Sequence, residues 1–302
     1  MKKCLVLLCT YNGEKYLRAQ IDSVIAQEGV DVFIKVSDDI SNDNTIAILD
    51  EYIAKGAPLS YSINDKNKMF TYNFIDLLFA NKNEEYDYYA FSDQDDVWLP
   101  NKLISAIKKI EELKENEKGT LYCSNLILVD KDLNKIGMME DESIITKTNK
   151  NTYLFENIAT GCTVVFNHKF MKHATKYYPE GIHYHDYWVF MIAVYTAQYV
   201  YDFNAYINYR QHESNLVGEN NGKSIKALWK KWKQSDGHQS VLAKQLLIGF
   251  KDDIDPEQLE NITKLATYQK KFKYKMSFIF NKKYANRKHN FLKKIKVLFN
   301  KY

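Results

Sequence analysis

The chain has only four cysteines in 302 residues, Cys4, Cys9, Cys123 and Cys162, and they form no CxxC pair and no regular spacing. That scatter excludes a zinc ribbon and a disulfide framework and suits a reducing cytoplasm. No G-x-G-x-x-G or G-x-x-x-x-G-K-[ST] occurs, which argues against dinucleotide-binding and P-loop enzymes. No apolar run reaches the ~18 residues that a membrane span requires. The opening "MKKCLVLLC" has the look of a signal peptide. Its apolar run is short, however, and "TYNGEKYLRAQ" follows without a small-residue cleavage site, so it reads as a first buried strand. Acid is absent after Glu260, where thirteen Lys and Arg follow. With a net charge of +4 overall, the first 260 residues therefore carry −9. An acidic body and a basic tail imply two jobs.

Hydrophobic content of 45% and charged content of 26% are those of a globular chain with a sizeable core. The first half alternates apolar strands with helical patterns. "CLVLLCT" precedes "EKYLRAQIDSVIAQ", where Leu17, Ile21, Val24 and Ile25 fall on one face. "VFIKVSDD" precedes a helix with Ile46, Leu49 and Ile53 on one face. "LSYSIN", "YNFIDLLFAN", "YDYYAFSD" and "NKLISAIKKIEEL" continue the series. This alternation predicts a mostly parallel sheet covered on both faces, with ligands bound outside the carboxyl ends of the strands. "TYNGE", "SDD" and "SDQDD" all fall at such ends.

"FSDQDDVWLPNKL" crowds Asp93, Asp95 and Asp96 into four positions. Like charges so close repel unless a cation lies among them. Oxygen ligands at this spacing suit Mg²⁺ or Mn²⁺, and Mg²⁺ is commonly shared between carboxylates and substrate phosphates. A solvated acidic turn would show the same residues. "SDDISNDNT" has the acidic spacing of a calcium loop but lacks the glycine its turn needs, which excludes that reading.

Taken in order, "TYNGEKYL", "SDDISNDNT", "FSDQDDVWLPNKL", "TGCTVVFN", "HDYWVFMIA" and "YRQHESNLVG" resemble family 2 glycosyltransferases of the GT-A fold. Within that family they are similar to bacterial polysaccharide rhamnosyltransferases. The resemblance spans about residues 1–220. It implies a catalytic domain over 1–220 and a basic, mainly helical region over 221–302.

For the matching positions it implies that Thr10, Tyr11 and Glu14 line the nucleotide pocket. Asp38 would read the pyrimidine N3–H, with Asp39 supporting the loop and Asn73 touching the donor. Asp93 would face the ribose or diphosphate, and Asp95 would bind the metal with Asp96 assisting. Gly161 would permit close backbone approach to a sugar, although the family often has a second glycine where Cys162 stands. Asp186 matches the base of an inverting transfer; its place before an apolar run also suits a helix cap, and His185 would orient it. Arg210 and His212 would meet the diphosphate or the metal.

These expectations amount to a glycosyltransferase using a metal-held nucleoside-diphosphate sugar, dTDP-rhamnose or else another UDP- or dTDP-sugar, on a lipid-linked glycan. A nucleotidyltransferase would show a Gly-rich, basic loop after strand one, which "TYNGEKYL" is not. A sugar-binding or membrane-adaptor protein would not need Asp95 and Asp186 together. The tail's "FLKKIKVLF" puts Phe291, Ile295, Leu298 and Phe299 on one face with the lysines away from it, and "IKALWKKWK" repeats the idea with Trp229 and Trp232. Such helices suit an anionic surface at the inner face of a plasma membrane, or packing on the catalytic domain. Nucleic acid is a weaker fit, because no binding module accompanies the charge.

Overall fold

A computed structural model describes residues 1–140, 142, 149–211, 237–284 and 290–302, with the side chains of 290–292 left aside. His212, Trp229, Trp232 and the 220/221 boundary lie outside the described residues.

The chain runs β1 (Lys2–Thr10), α1 (Leu17–Ile25), β2 (Val30–Asp38), α2 (Thr45–Ala54), β3 (Leu59–Ile63), α3 (Met69–Ala80), β4 (Tyr88–Ser92), β5 (Val97–Trp98) and α4 (Lys102–Glu111). It continues through β6 (Thr120–Val129), β7 (Lys135–Met138), β8 (Val165–Asn167), α5 (His168–Ala174), α6 (His185–Thr196) and β9 (Gln198–Arg210). Four helices close the described chain: α7 (His238–Phe250), α8 (Pro256–Thr267), α9 (Phe272–Phe280) and α10 (Asn290–Leu298).

The strands form one sheet in the order β3-β2-β1-β4-β8-β6-β9-β5, with β7 beside β6. β1 pairs in parallel with both β2 and β4, and β2 with β3. The short β8 is antiparallel to both β4 and β6. Its reversal carries its leading end, the 3-10 turn Gly161–Thr163, to the carboxyl end of β4. β9 runs parallel to β6 and so ends at the same edge, with Arg210 opposite Val129.

The period of two along β1 separates two cores. Cys4, Val6 and Leu8 face α1, α2 and α4. Leu5, Leu7 and Cys9 face the layer of α3, α5 and α6. α6 is buried from Tyr187 to Thr196, as expected of a helix apolar all round. α2 buries Thr45, Ile48 and Leu49 and leaves Ile53 exposed, so its inner face is turned from the expected one. Ile25 is likewise exposed.

The last four helices join the α6-side core through Leu242, Leu246, Phe250, Ile262, Phe278 and Val297, and Tyr302 beyond them joins it too. α10 departs from its expected face. It buries Lys293 and Val297 and leaves Leu298 and Phe299 exposed. The Lys293 ammonium lies over the Phe155 ring and donates to the Tyr284 carbonyl, which is how a lysine is accommodated there.

Candidate active site

The carboxyl ends of β1, β2 and β4 are laced by side chains. Asp38, fully buried, accepts from Thr10 Oγ1 (2.7 Å), Ser41 Oγ (2.6 Å) and Ser41 N–H (2.8 Å). Asp39 accepts from Asn64 Nδ2 (2.9 Å) and Lys68 N–H (2.8 Å), both on Oδ1. Asn73 is committed inward. Its Oδ1 takes Ser37 Oγ (2.5 Å) and Asn64 Nδ2 (2.9 Å), and its Nδ2 donates to Ser37 O (3.0 Å). Glu14 accepts from Asn44 through N–H (3.0 Å) and Nδ2 (2.7 Å), tying the first loop to the second.

Tyr11 keeps half of its surface exposed at the rim (50%). Its backbone is held by Gln94, the one uncharged residue of "DQDD": Tyr11 N–H donates to Oε1 (2.8 Å) and Nε2 donates to Tyr11 O (3.0 Å). A side chain at Gly13 would meet Gln94 Oε1 at 2.5 Å, so the glycine makes this grip possible. The sequence reading passed over Gln94, and only its place beside the glycine-bearing loop could have drawn attention to it.

The acidic turn divides into buried and accessible carboxylates. Asp96 is sealed in; its Oδ1 accepts Arg210 N–H (3.1 Å), and its Oδ2, with the Cys162 thiol nearby, has no well-formed hydrogen bond among the described residues. Burial, then the charges of Asp95 and Asp93, push its pKa well above the usual carboxylate range. Asp93 and Asp95 are half-buried. Burial and the nearby charges of Asp95 and Asp186 raise Asp93 to about 7.

Ligand atoms of Asp93, Asp96 and Cys162 lie within 4.8 Å of one another. Burial holds the Cys162 thiol protonated, its pKa well above the ordinary value, so the oxygens are the ligands this cluster offers a hard cation. A carboxylate oxygen with no well-formed hydrogen bond among the described residues, beside two half-buried carboxylates, fits a divalent cation at this turn.

Arg210 is buried rather than open to solvent. Its Nε donates to Asp95 O (2.9 Å) and its Nη1 to Lys131 O (2.5 Å), with the guanidinium over the Tyr16 ring at 4.3 Å. It thus braces the acidic turn by its backbone. Lys102, also unremarked from sequence, lies fully buried over Trp98 (3.2 Å to the ring centroid), and its Nζ has no hydrogen-bond partner among the described residues. Burial lowers it to about 7, while Cys162, Cys4, Asp96 and Asp93 act in the opposite direction. A helical wheel carries the signal: Lys102, Leu103, Ala106, Ile107 and Ile110 form one inward face.

Asp186 closes the site from the other core. It is not the cap of α6, which is Tyr184, but sits in the first turn, where Oδ1 accepts Tyr187 N–H (2.6 Å). Burial raises it to about 7, against hydrogen bonds from Tyr187, Gly161 and Asn157. His185 beside it is stacked on Phe74 (4.0 Å between centroids), and neither ring nitrogen has a hydrogen-bond partner among the described residues. A Cβ on Gly161 would lie 2.9 Å from His185 Nε2, so the close approach this glycine permits is that of the imidazole. The α6 base candidate and the β4 acidic turn therefore meet at the Gly161–Thr163 turn: a Cβ on Gly161 would lie 3.7 Å from Asp186 Cβ, the next residue, Cys162, sits with Asp93 and Asp96, and the Asp186 charge reaches Asp93.

A mostly parallel sheet with carboxylates gathered at one edge is the GT-A glycosyltransferase layout, and solved structures share it. TarS from S. aureus in complex with UDP-GlcNAc superimposes with a TM-score of 0.59 at 19% identity, covering 99% of this chain and 80% of that one. The mannosyltransferase PcManGT from Pyrobaculum calidifontis, with GDP-Man and Mn²⁺, gives 0.57 at 10% identity, over 98% and 73%. The glycosyl transferase family 2 model matches residues 5–173, and the chain belongs to that family. It is 32% identical over 237 residues to the dTDP-rhamnosyl transferase RfbG of Shigella flexneri, covering 74% of this chain and 77% of the relative. An uncharacterized glycosyltransferase of Rickettsia typhi is 25% identical over 252 residues, 82% of this chain and 74% of the relative.

Proposed function

We propose that this glycosyltransferase moves L-rhamnose from dTDP-rhamnose, with inversion, onto a lipid-linked glycan during surface-polysaccharide assembly at the inner face of the plasma membrane. The observation that carries the reading is that the acidic turn and Asp186 meet at the Gly161–Thr163 turn; the likeness to RfbG supports the donor. Residues 1–220 hold donor and base, and residues 221–302 supply the basic helical part.

The exposed Tyr11 ring offers the base a stacking face. Asp38 already accepts three hydrogen bonds, so the pyrimidine N3–H falls to Asp39, whose described bonds all lie on Oδ1 and leave Oδ2 to accept. Thr10, Glu14 and Asn73 shape the nucleotide pocket by fixing its loops. Asp93 and Asp95 hold Mg²⁺ or Mn²⁺, with buried Asp96 as support and Arg210 setting the turn; His212 stays a candidate further ligand. When bound, the cation supplies positive charge against the departing diphosphate. Asp186 takes the proton of the acceptor hydroxyl as that oxygen bonds to the anomeric carbon and the bond from that carbon to the diphosphate breaks, the electron pair leaving with the diphosphate.

A panel of dTDP-rhamnose, UDP-GlcNAc and GDP-mannose, each with Mg²⁺ or Mn²⁺, tests the donor. Turnover confined to a sugar other than rhamnose would overturn it. Asp95→Ala is expected to abolish metal-dependent binding of dTDP in calorimetry, and unchanged affinity would remove Asp95 from the metal site.

A further inference from the structure

The helix α9 has two unlike sides. Its inner side buries Phe278 and Ile279, with Phe278 edge-on to Phe155 (5.2 Å between centroids) and Tyr284 (4.8 Å). Its outer side leaves Phe272 and Phe280 72% and 74% exposed. A soluble surface rarely spends two phenylalanines this way on one short helix. Leu298 of the neighbouring α10, whose carbonyl accepts from Lys275 Nζ (3.4 Å), is exposed as well.

We propose that this outer face is a docking surface for an anionic lipid bilayer, and that it holds the acceptor side of the site against the membrane. Charge selects the occupant. Exposed Lys271 and Lys273 bracket Phe272, exposed Lys282 lies two residues past Phe280, and no acid occurs anywhere after Glu260. Aromatic rings between lysines match the boundary between acyl chains and anionic headgroups. A second copy of this chain docking through the same face would meet it with like positive charge. This face is not the one legible in "FLKKIKVLF", because α10 turns Lys293 and Val297 inward.

The position of the face bears on the reaction. Phe155, on which Phe278 packs, is two residues before Asn157, and Asn157 lies near enough to the Asp186 carboxylate to lower its pKa. α9 is thus anchored to the segment supporting the proposed base, where a lipid-linked hydroxyl has to arrive. The inference rests in this respect on the proposed lipid-linked acceptor.

The test is sedimentation of the full chain with phosphatidylglycerol-containing vesicles and with pure phosphatidylcholine vesicles. We expect binding to the anionic vesicles alone, weakened by added salt. Phe272→Ser with Phe280→Ser should reduce that binding at least ~10-fold, with melting temperature and soluble donor hydrolysis unchanged. Absence of binding by the intact chain, or equal binding by the double variant, would overturn the proposal. So would a concentration-dependent dimer, seen by light scattering, that the double variant abolishes. Vesicle binding with no hydrolysis of any nucleotide sugar would instead overturn the glycosyl-transfer reading and leave the docking surface standing.

Discussion

Asp186 and His185 are neighbours in sequence held to opposite requirements. Burial raises Asp186 to about 7, so it is largely protonated in mild acid. Only the carboxylate can accept a proton, so the transfer rate should rise about tenfold per pH unit below that value and level off above it. For stability, a folded pKa above the unfolded ~3.9 means that the native state binds the extra proton. This contribution is full below about 4 and disappears as pH rises through about 7. Asp186→Asn should remove that part of the pH dependence of melting. It should also lower transfer on the order of 10²-fold or more with donor binding nearly intact, as single-turnover kinetics and calorimetry would show.

His185 is held neutral, its pKa lowered to about 3 by burial, with two unsatisfied nitrogens among aromatic rings. An unpaired buried polar group costs about 1–3 kcal/mol. His185→Phe is therefore expected to raise the unfolding free energy by about 1 kcal/mol in urea melts and to reduce turnover. A variant that is more stable and equally active would give the imidazole no part in orienting Asp186.

At the scale of elements, the site depends on a loop-to-loop clasp. Gln94 grips the Tyr11 backbone on both sides, and Gly13 leaves the room for it. Gly13→Ala should push the flexible end of Gln94 away. Donor affinity, measured by calorimetry with dTDP and Mn²⁺, should then fall about tenfold, roughly 1.4 kcal/mol, with little change in melting. Unchanged affinity would confine Gln94 to a local role. The strand and helix series was legible because its periods are local, and the strand ends with their carboxylates came with it. The clasp was not legible, because 83 residues separate its partners.

For the whole molecule, the C-terminal helices are part of the core. Tyr302 N–H donates to Tyr268 Oη, and that hydroxyl donates to Tyr302 O, each at 3.0 Å; Tyr302 also lies edge-on to Phe155. Removing residues 290–302 should uncover this cluster and cost about 3–5 kcal/mol, the range for losing a large buried side chain. Denaturant melts would register that loss, and a truncated chain with unchanged stability would make α10 an appendage. A truncation cannot therefore isolate membrane docking, whereas substitutions at Phe272 and Phe280 can.

The order of motifs by itself determined the family, the sheet edge used and the residues worth naming, since each motif is a contiguous stretch at a strand end. Tertiary structure alone decided how these residues divide their work. Asp38 takes three hydrogen bonds from Thr10 and Ser41, and Asn73 is turned inward by Ser37 and Asn64. Arg210 is spent on the backbone of a turn 115 residues away, and Lys102 lies buried near Asp96. The physical reason is that the remaining hydrogen-bonding capacity of a side chain, and the burial of its charge, depend on neighbours brought across the sheet.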